Sequence, residues 1–284
     1  MSVRTVIFVT LICLAVTLGM LLLVNGGSAA QAKPPARREG QKVRLMAHAG
    51  AGIRPALDEL GSLFEKQNGI KVEYNYKGSG CLLADVCASQ KGDVYIPGEI
   101  YYMQQAVDRK LVPCYRIVSN LTTVLIVQAG NPKKVKGVQD LARRGMRVGI
   151  GDPEVVAVGR AAREVLTRAG VWKQVEKNIA MTGQNVTEVS NGVKLGHIDA
   201  AIVWDATAAL YGSRELTVLP IPEDYRVVSA VPAGPMKFSR RPKEAEEFVC
   251  FLASDQAAEV FKKHGFITPV PAAQRRKMVK GTPA

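Results

Sequence analysis

The sequence predicts an α/β fold with a mainly parallel sheet. From residue 42 onward, short apolar or alternating segments that are typical of strands are followed by segments with helical spacing. The chain has 284 residues, of which 47% are hydrophobic and 22% charged, a globular composition with room for one large domain or two lobes. Repeated strand–helix units of this kind build parallel sheets, because a helix carries the chain back to the start of the next strand.

The first half of the chain shows the alternation most regularly. KVRLMAHA alternates like a strand and ends at Gly50, and IRPALDELGSLFEKQNG follows with apolar residues on one helical face. The dipeptide Asn68-Gly69 predicts the end of this helix. Then come the strand IKVEYNYKG, the helix CLLADVCASQKG, the strand DVYIPG and the helix EIYYMQQAVDRKLV.

The second half continues with apolar strands. They are predicted in LTTVLIVQAGNP, RVGIGDP, IDAAIVWD, LTVLPI and YRVVSAVPAG. The segment KEAEEFVCFLASDQAAEVFKKHGF is predicted to close the fold as an amphipathic helix. Its inward residues are expected to be Ala245, Phe248, Phe251, Leu252, Ala258, Val260 and Phe261.

The N-terminus predicts export. Residues 6–24 are apolar and uncharged, and small residues follow around Ala30, as at a signal-peptidase site. Residues 1–32 are therefore interpreted as a signal peptide, with an uncleaved membrane anchor as the alternative, because the apolar run almost spans a bilayer. Residues 33–42 read as a flexible leader. Either way, the rest of the chain is expected in the periplasm or at the outer face of the cytoplasmic membrane.

Charge and cysteine usage exclude several classes of function. The net charge is +13, but the basic residues are scattered and aromatics make up only 6%, so no nucleic-acid surface is predicted.

Four cysteines lie beyond the leader: Cys81, Cys87, Cys114 and Cys250. They are either small core residues or disulfide partners, and all three pairings stay open, although Cys81 and Cys87 are not expected to pair. No zinc spacing and no nucleophile–base set is found, so neither a metal, a cofactor nor catalysis is predicted.

Three predicted strand-to-helix turns share small residues. They are Gly50–Gly52, Gly78–Gly80 and Val156–Gly159. A helix N-terminus presents unpaired N–H groups, and small residues let an anion approach them closely. Each turn alone is explained better by an ordinary cap or turn. Their convergence would make an anion site of neutral donors, to which Ser79 adds a hydroxyl.

Four segments carry a resemblance to a known family. They are FEKQNGIKVEYNYKGSGCLLADVCASQKGDVYIPGE, GDPEVVAVGRAAREVLTRAGVW, QNVTEVSNGVKLGHIDAAIVWDATA and KEAEEFVCFLASDQAAEVFKKHGF. In this order, over Val43 to Phe266, the chain resembles the substrate-binding proteins of molybdate and tungstate ABC transporters. The resemblance implies a two-lobed periplasmic-binding-protein fold, in which each lobe is a mixed, mainly parallel sheet flanked by helices.

The resemblance also implies the division into lobes and the function. Residues 43–122 and 227–284, including a C-terminal tail, would form the first lobe, and residues 123–226 the second, joined by two crossing strands in LTTVLIVQ and YRVVSAVP. The lobes would capture a tetrahedral oxyanion, molybdate or tungstate, and deliver it as a monomer to an ABC permease. The alternatives are a membrane-anchored receptor or sensor with the same lobes, and a binding protein for sulfate, phosphate or another anion.

The matched motifs imply the ligand-binding residues. These are Gly52, Ser79, Val158, Val186 and Trp204. Further candidates are Ala51, Arg54, Gly80, Asn185 and Asp205.

The chain departs from the family pattern within the site. Trp204 stands for a tyrosine, Gly52 for a serine and Ala157 for a proline, and Arg54 adds a charge near the first helix. Three carboxylates, those of Asp152, Glu154 and Asp205, are expected nearby. One that pointed inward would favour a protonated anion or an expanded metal coordination shell, whereas all three pointing outward would favour molybdate or tungstate.

Overall fold

The computed structural model describes residues 43–280, so the predicted signal peptide or anchor and the leader lie outside the described residues. Ten strands are found there: β1 Arg44–Gly50, β2 Lys71–Lys77, β3 Val94–Ile96, β4 Cys114–Gln128, β5 Val148–Gly151, β6 Ile179–Gly183, β7 Ala200–Trp204, β8 Leu216–Leu219, β9 Val228–Pro235 and β10 Val279–Lys280. The α-helices of the same residues are α1 Arg54–Asn68, α2 Ser79–Ser89, α3 Ile100–Asp108, α4 Ala157–Arg168, α5 Trp172–Val175, α6 Val186–Lys194, α7 Asp205–Ala208, α8 Pro242–Leu252, α9 Asp255–Lys263 and α10 Ala272–Arg276.

The strands form a continuous, mixed sheet in the order β2-β1-β3-β9-β4-β7-β5-β6, and β8 and β10 also pair with β4. In the first lobe, β1 runs parallel to β2 and β3. In the second lobe, β5 runs parallel to β6 and β7. The prediction of an α/β fold with mixed sheets flanked by helices is therefore confirmed, although antiparallel pairings with β4 and β9 are as prominent as the parallel ones.

Strand β4 joins the two lobes. It pairs antiparallel with β9 as far as Thr122, and from Thr123 onward it pairs with β7. Strand β4 begins at Cys114 and is therefore longer than the predicted crossing segment LTTVLIVQ. The lobe borders themselves stay a prediction.

Each lobe has an apolar core. In the first lobe, α1 starts with Pro55 in its first turn, ends at Gly69 with a φ of 69°, and buries Phe64 against Phe248, with ring centroids 5.0 Å apart. In the second lobe, residues such as Leu125 and Val165 pack together in a separate cluster. Helices that cover a sheet on their apolar side produce this layered arrangement.

The closing helix is two helices, and the prediction of one was wrong. Helix α8 ends at Leu252, and the Ser254 side chain accepts a hydrogen bond from the Ala257 N–H at 3.1 Å, which caps α9. A serine at this position starts a new helix. The interruption also changes the buried face, so that Ala257 is buried and Ala258 is only half-buried.

None of the four cysteines is fully buried, contrary to the interpretation of all four as core residues, although Cys87 packs against the core of the first lobe. Cys81, Cys87 and Cys114 are partly exposed, Cys250 is exposed, and all four thiols are free.

Helix α2 already begins at Ser79, two residues before the predicted start. Among residues 43–280, no helix has both the length and the apolar character needed to cross a membrane.

Candidate functional site

A small cavity lies between the two lobes, where several strand-to-helix turns meet. The cavity has a volume of ≈ 20 Å³. This volume exceeds the about 10–15 Å³ that one bound water needs, so the cavity is suited to a small solute. It is lined by Gly50, Ala51, Gly52, Ile53, Lys77, Gly78, Ser79, Gly98, Leu121, Val156, Ala157, Val158, Asn185, Val186 and Trp204.

Helix starts surround this cavity. The residues before α2 and α4, Gly78 and Val156, have extended backbones, and neither makes a side-chain cap hydrogen bond. The first N–H groups of a helix have no partner within the helix. These starts therefore direct backbone donors and the positive ends of helix dipoles at the cavity.

The start of α6 is held differently. The Asn185 side chain accepts a hydrogen bond from the Glu188 N–H at 3.0 Å, and Glu188 in turn accepts from the Gln184 N–H at 2.8 Å. Such a reciprocal cap satisfies two backbone donors and fixes the helix entry. Asn185 and Val186, which line the cavity, are thus held on a rigid turn.

Ser79 lies at the floor of the cavity and is 3% exposed. Its Oγ accepts a hydrogen bond from the Gly98 N–H at 3.0 Å, and its carbonyl accepts one from the Tyr95 hydroxyl at 3.3 Å. Gly98 also lines the cavity and was not foreseen. The Pro97-Gly98 pair ends the predicted strand DVYIPG and precedes a predicted helix, as small residues do in the other turns, and this signal could have identified Gly98.

Trp204 fills the space that a side chain at position 52 would need. A Cβ on Gly52 would lie 3.2 Å from the Trp204 Cδ1 and 3.2 Å from the Val186 Cγ1. Trp204 itself is 2% exposed. The Trp204 ring therefore occupies the space that a side chain at position 52 would need. Its indole N–H can donate a hydrogen bond but cannot accept one.

Lys77 also lines the cavity, but the sequence analysis did not identify it, because a lysine at the end of a strand is an ordinary surface feature. Its Nζ lies 2.6 Å from the Asp85 Oδ2. The hydrogen bond to Asp85 and the nearby carboxylate charge raise the pKa of the Lys77 ammonium. Lys77 is the one ionisable residue among the described residues that line the cavity, and its ammonium is paired with Asp85.

Three further candidates do not line the cavity. The Arg54 guanidinium carbon lies 4.5 Å from the centroid of the Tyr76 ring, and the Gly80 N–H donates to the Val155 carbonyl at 2.8 Å. The Asp205 carboxylate is buried and accepts three backbone hydrogen bonds. The donors are the N–H groups of Thr122 at 3.0 Å, Ala206 at 2.8 Å and Ile267 at 3.0 Å.

The carboxylates expected near the site lie outside its lining. Burial raises the pKa of Asp205, against the effect of its backbone hydrogen bonds. The Asp152 Oδ1 accepts a hydrogen bond from the Glu154 N–H at 2.9 Å. Within the described chain, the cavity is lined by no carboxylate, and no cluster of three or more His, Cys, Asp or Glu is suited to hold a metal ion.

The lobes touch beside the cavity. The Arg160 Nε lies 3.3 Å from the Glu99 Oε2, and the Arg160 guanidinium carbon lies 3.7 Å from the centroid of the Tyr101 ring. Burial raises the pKa of Glu99, and the Arg160 charge partly opposes this rise. Because Glu99 precedes α3 and Arg160 lies on α4, these contacts belong to a closed arrangement of the lobes.

Comparisons with known proteins agree with this geometry. Residues 45–267 match the family model described as bacterial extracellular solute-binding protein. The chain is 30% identical over 249 residues to a putative ABC transporter substrate-binding lipoprotein of Bacillus subtilis, covering 86% of this chain and 93% of that protein. It is 27% identical over 250 residues to the molybdate-binding protein ModA of Mycobacterium tuberculosis, covering 87% and 93% of the two chains. The fold is similar to that of the periplasmic molybdate-binding protein of Azotobacter vinelandii, with a TM-score of 0.71, 18% identity and coverage of 80% and 100%.

Proposed function

The chain belongs to the bacterial extracellular solute-binding protein family, and from that membership we propose that it captures molybdate or tungstate between its lobes and delivers the anion to an ABC permease. One observation carries the proposal: the cavity is surrounded by helix starts, and no carboxylate lines it. Positive dipole ends without a nearby negative side chain favour an anion.

The absence of a carboxylate from the described lining supports a fully deprotonated anion. A protonated phosphate would need an acceptor for its proton, and the described lining offers no carboxylate for this purpose. A cavity of this small volume is compatible with a compact inorganic anion rather than a large organic solute. Molybdate and tungstate meet both conditions, and sulfate is the competing anion that the experiment must test.

In the proposed complex, the backbone N–H groups of Gly52, Val158 and Val186 donate to the anion, with those of Ala51 and Asn185 beside them. The Ser79 hydroxyl and the Trp204 indole N–H supply side-chain donors. All seven residues line the cavity, which supports their assignment as a group.

The proposed mechanism is capture without chemistry. The anion enters the open cleft, and bending of β4 and β9 brings the helix starts of both lobes around it. A permease that contacts both lobes distinguishes the closed form from the open one. We also propose the lobe borders 43–122, 123–226 and 227–284, which the change of partner on β4 at Thr122 supports. Location outside the cytoplasm and a monomeric state belong to the same proposal.

Calorimetric titration of the exported protein with molybdate, tungstate, sulfate and phosphate tests the proposal. The buffer must be free of all four anions. We expect tight binding of molybdate or tungstate and no heat from phosphate. Preferential binding of sulfate would keep the capture mechanism but change the ligand, and silence with all four anions would refute an oxyanion site.

A further inference from the structure

We propose that Gly78 and Gly80 set the width of the closed cleft and thereby determine which oxyanion the protein retains. The inference rests on the proposed function and adds two specificity-determining residues that need not donate to the ligand. Its basis is the contact that these glycines make with the backbone of the opposite lobe.

The two glycines are packed against main-chain atoms. A Cβ on Gly78 would lie 2.6 Å from the carbonyl oxygen of Gln184, and a Cβ on Gly80 would lie 2.8 Å from the Cα and the carbonyl oxygen of Val155. The Gly80 N–H donates to that same carbonyl at 2.8 Å. Backbone atoms cannot rotate away as a flexible side chain could, so a methyl group at either position would separate the lobes.

Their own lobe does not require glycine at these positions. Gly78 has a φ of −62° and a ψ of 145°, which any residue adopts, and Gly80 lies inside α2. The three nearest atoms to each added Cβ all belong to the second lobe. Alanine is therefore compatible with the open form, and at position 80 it is the better helix former.

The contact is coupled to the ligand cavity by short stretches of chain. Gly78 and Ser79 line the cavity on one side, and Val155 and Gln184 immediately precede the lining residues Val156 and Asn185 on the other. Moving an added Cβ on Gly78 from 2.6 Å to 3.0 Å would displace the lobes by about 0.4 Å. That shift lengthens hydrogen bonds to the anion beyond their preferred distance.

The size of the anion then decides whether full closure is possible. An anion that fits the cavity allows the Gly80–Val155 hydrogen bond to form, whereas a larger one holds the lobes apart and prevents it. A smaller anion fits loosely, because the main-chain contact stops closure before its oxygens reach every donor. Selection of the anion by size would thus result from a contact between two backbones that limits how far the lobes close.

Gly80→Ala and Gly78→Ala test the proposal, with Gly212→Ala as the matched control. A Cβ on Gly212 would have no atom within 4 Å. Each variant is titrated with molybdate, tungstate and sulfate beside the wild type, its melting temperature is measured without ligand, and its radius of gyration is measured by small-angle scattering with and without molybdate.

We expect Gly80→Ala to keep or raise the melting temperature while losing about 30-fold or more in affinity for molybdate, since helix propensity improves and closure is impaired. Compaction by molybdate should occur in the wild type and Gly212→Ala and be reduced in Gly80→Ala. If both glycine variants bind and compact like the wild type, the inference is wrong and the proposed function stands. If the wild type binds no oxyanion, the proposed function fails and the inference fails with it.

Discussion

The Ser79 hydroxyl oxygen accepts a hydrogen bond from the backbone N–H of Gly98 at 3.0 Å. This contact fixes how the hydroxyl can be used, because the donor of Gly98 occupies one lone pair of the oxygen. The hydroxyl proton remains to be donated, and Ser79 lines the cavity together with Gly98. In the proposed complex, the hydroxyl proton is therefore the group that Ser79 offers to the anion.

Ser79→Ala should weaken molybdate binding by about 10- to 100-fold, because hydrogen bonds to charged groups contribute about 1.5–3 kcal/mol. Calorimetric titration measures the change. Ser62→Ala is the control, since the exposed Ser62 hydroxyl bonds only to the Asp58 carbonyl in its own helix. Wild-type affinity in Ser79→Ala would exclude the hydroxyl from the site.

Trp204→Phe should reduce the affinity for molybdate by about tenfold, because it keeps an aromatic ring in the cleft but removes the N–H donor. Trp172→Phe, in the partly buried α5, is the matched control. An equal loss of affinity in both variants would indicate a general effect on the fold. No loss in either would assign Trp204 to packing alone.

The Glu99–Arg160 pair should couple in binding, because its members lie on opposite sides of the cleft. We expect Glu99→Gln and Arg160→Met each to weaken molybdate binding several-fold, with a coupling energy of about 0.5–2 kcal/mol in the double-mutant cycle. The Glu223–Arg226 pair, within one loop, serves as the control cycle. Strictly additive effects would show that Glu99 and Arg160 do not act together in the closed form.

Asp199 should make the free energy of unfolding depend on pH. Burial by itself would raise its pKa, but hydrogen bonds from the Arg147 side chain and N–H outweigh this effect and hold the pKa below its ordinary value. A lowered pKa in the folded protein gives stability that is present above the unfolded value and lost as the pH falls through the folded value.

Asp199→Asn should therefore lower the free energy of unfolding by about 1–3 kcal/mol at pH 7, and the difference from the wild type should shrink in acid below the ordinary pKa of Asp. Urea unfolding at a series of pH values measures it. Asp224→Asn, at an exposed position, is the control. A difference that grows on acidification would contradict the assigned direction of the pKa.

The sequence could mark three strand-to-helix turns as candidates, because small residues between a strand and a helix are a local signal, but only the fold could bring the turns together. It could not predict where the Asp205 carboxylate points. The N–H groups of Thr122 and Ile267 that donate to it are distant in the chain, and only the tertiary fold brings them to the two oxygens of this carboxylate. Lys77 was missed for a similar reason, since the alternation of β2 does not reveal which surface the end of the strand faces.

The break in the closing helix illustrates a different limit. Apolar spacing across residues 245–261 is continuous enough to predict one helix. The cap at Ser254 restarts the helix, and a single serine is a weak signal within an otherwise helical pattern. Periodicity identified the elements, and a local hydrogen bond decided their boundary.

The antiparallel pairing of β3 with β9 has a consequence for how the protein folds. The register joins Val94 to Pro235, about 140 residues apart in the chain. The sheet of the first lobe is thus incomplete until β9 has been synthesised, after all of β5 to β8. Closing so long a loop carries an entropic cost before the contacts form, which slows folding. A nascent chain that ends before residue 228 should therefore lack a native first lobe, and the second lobe should complete its sheet earlier.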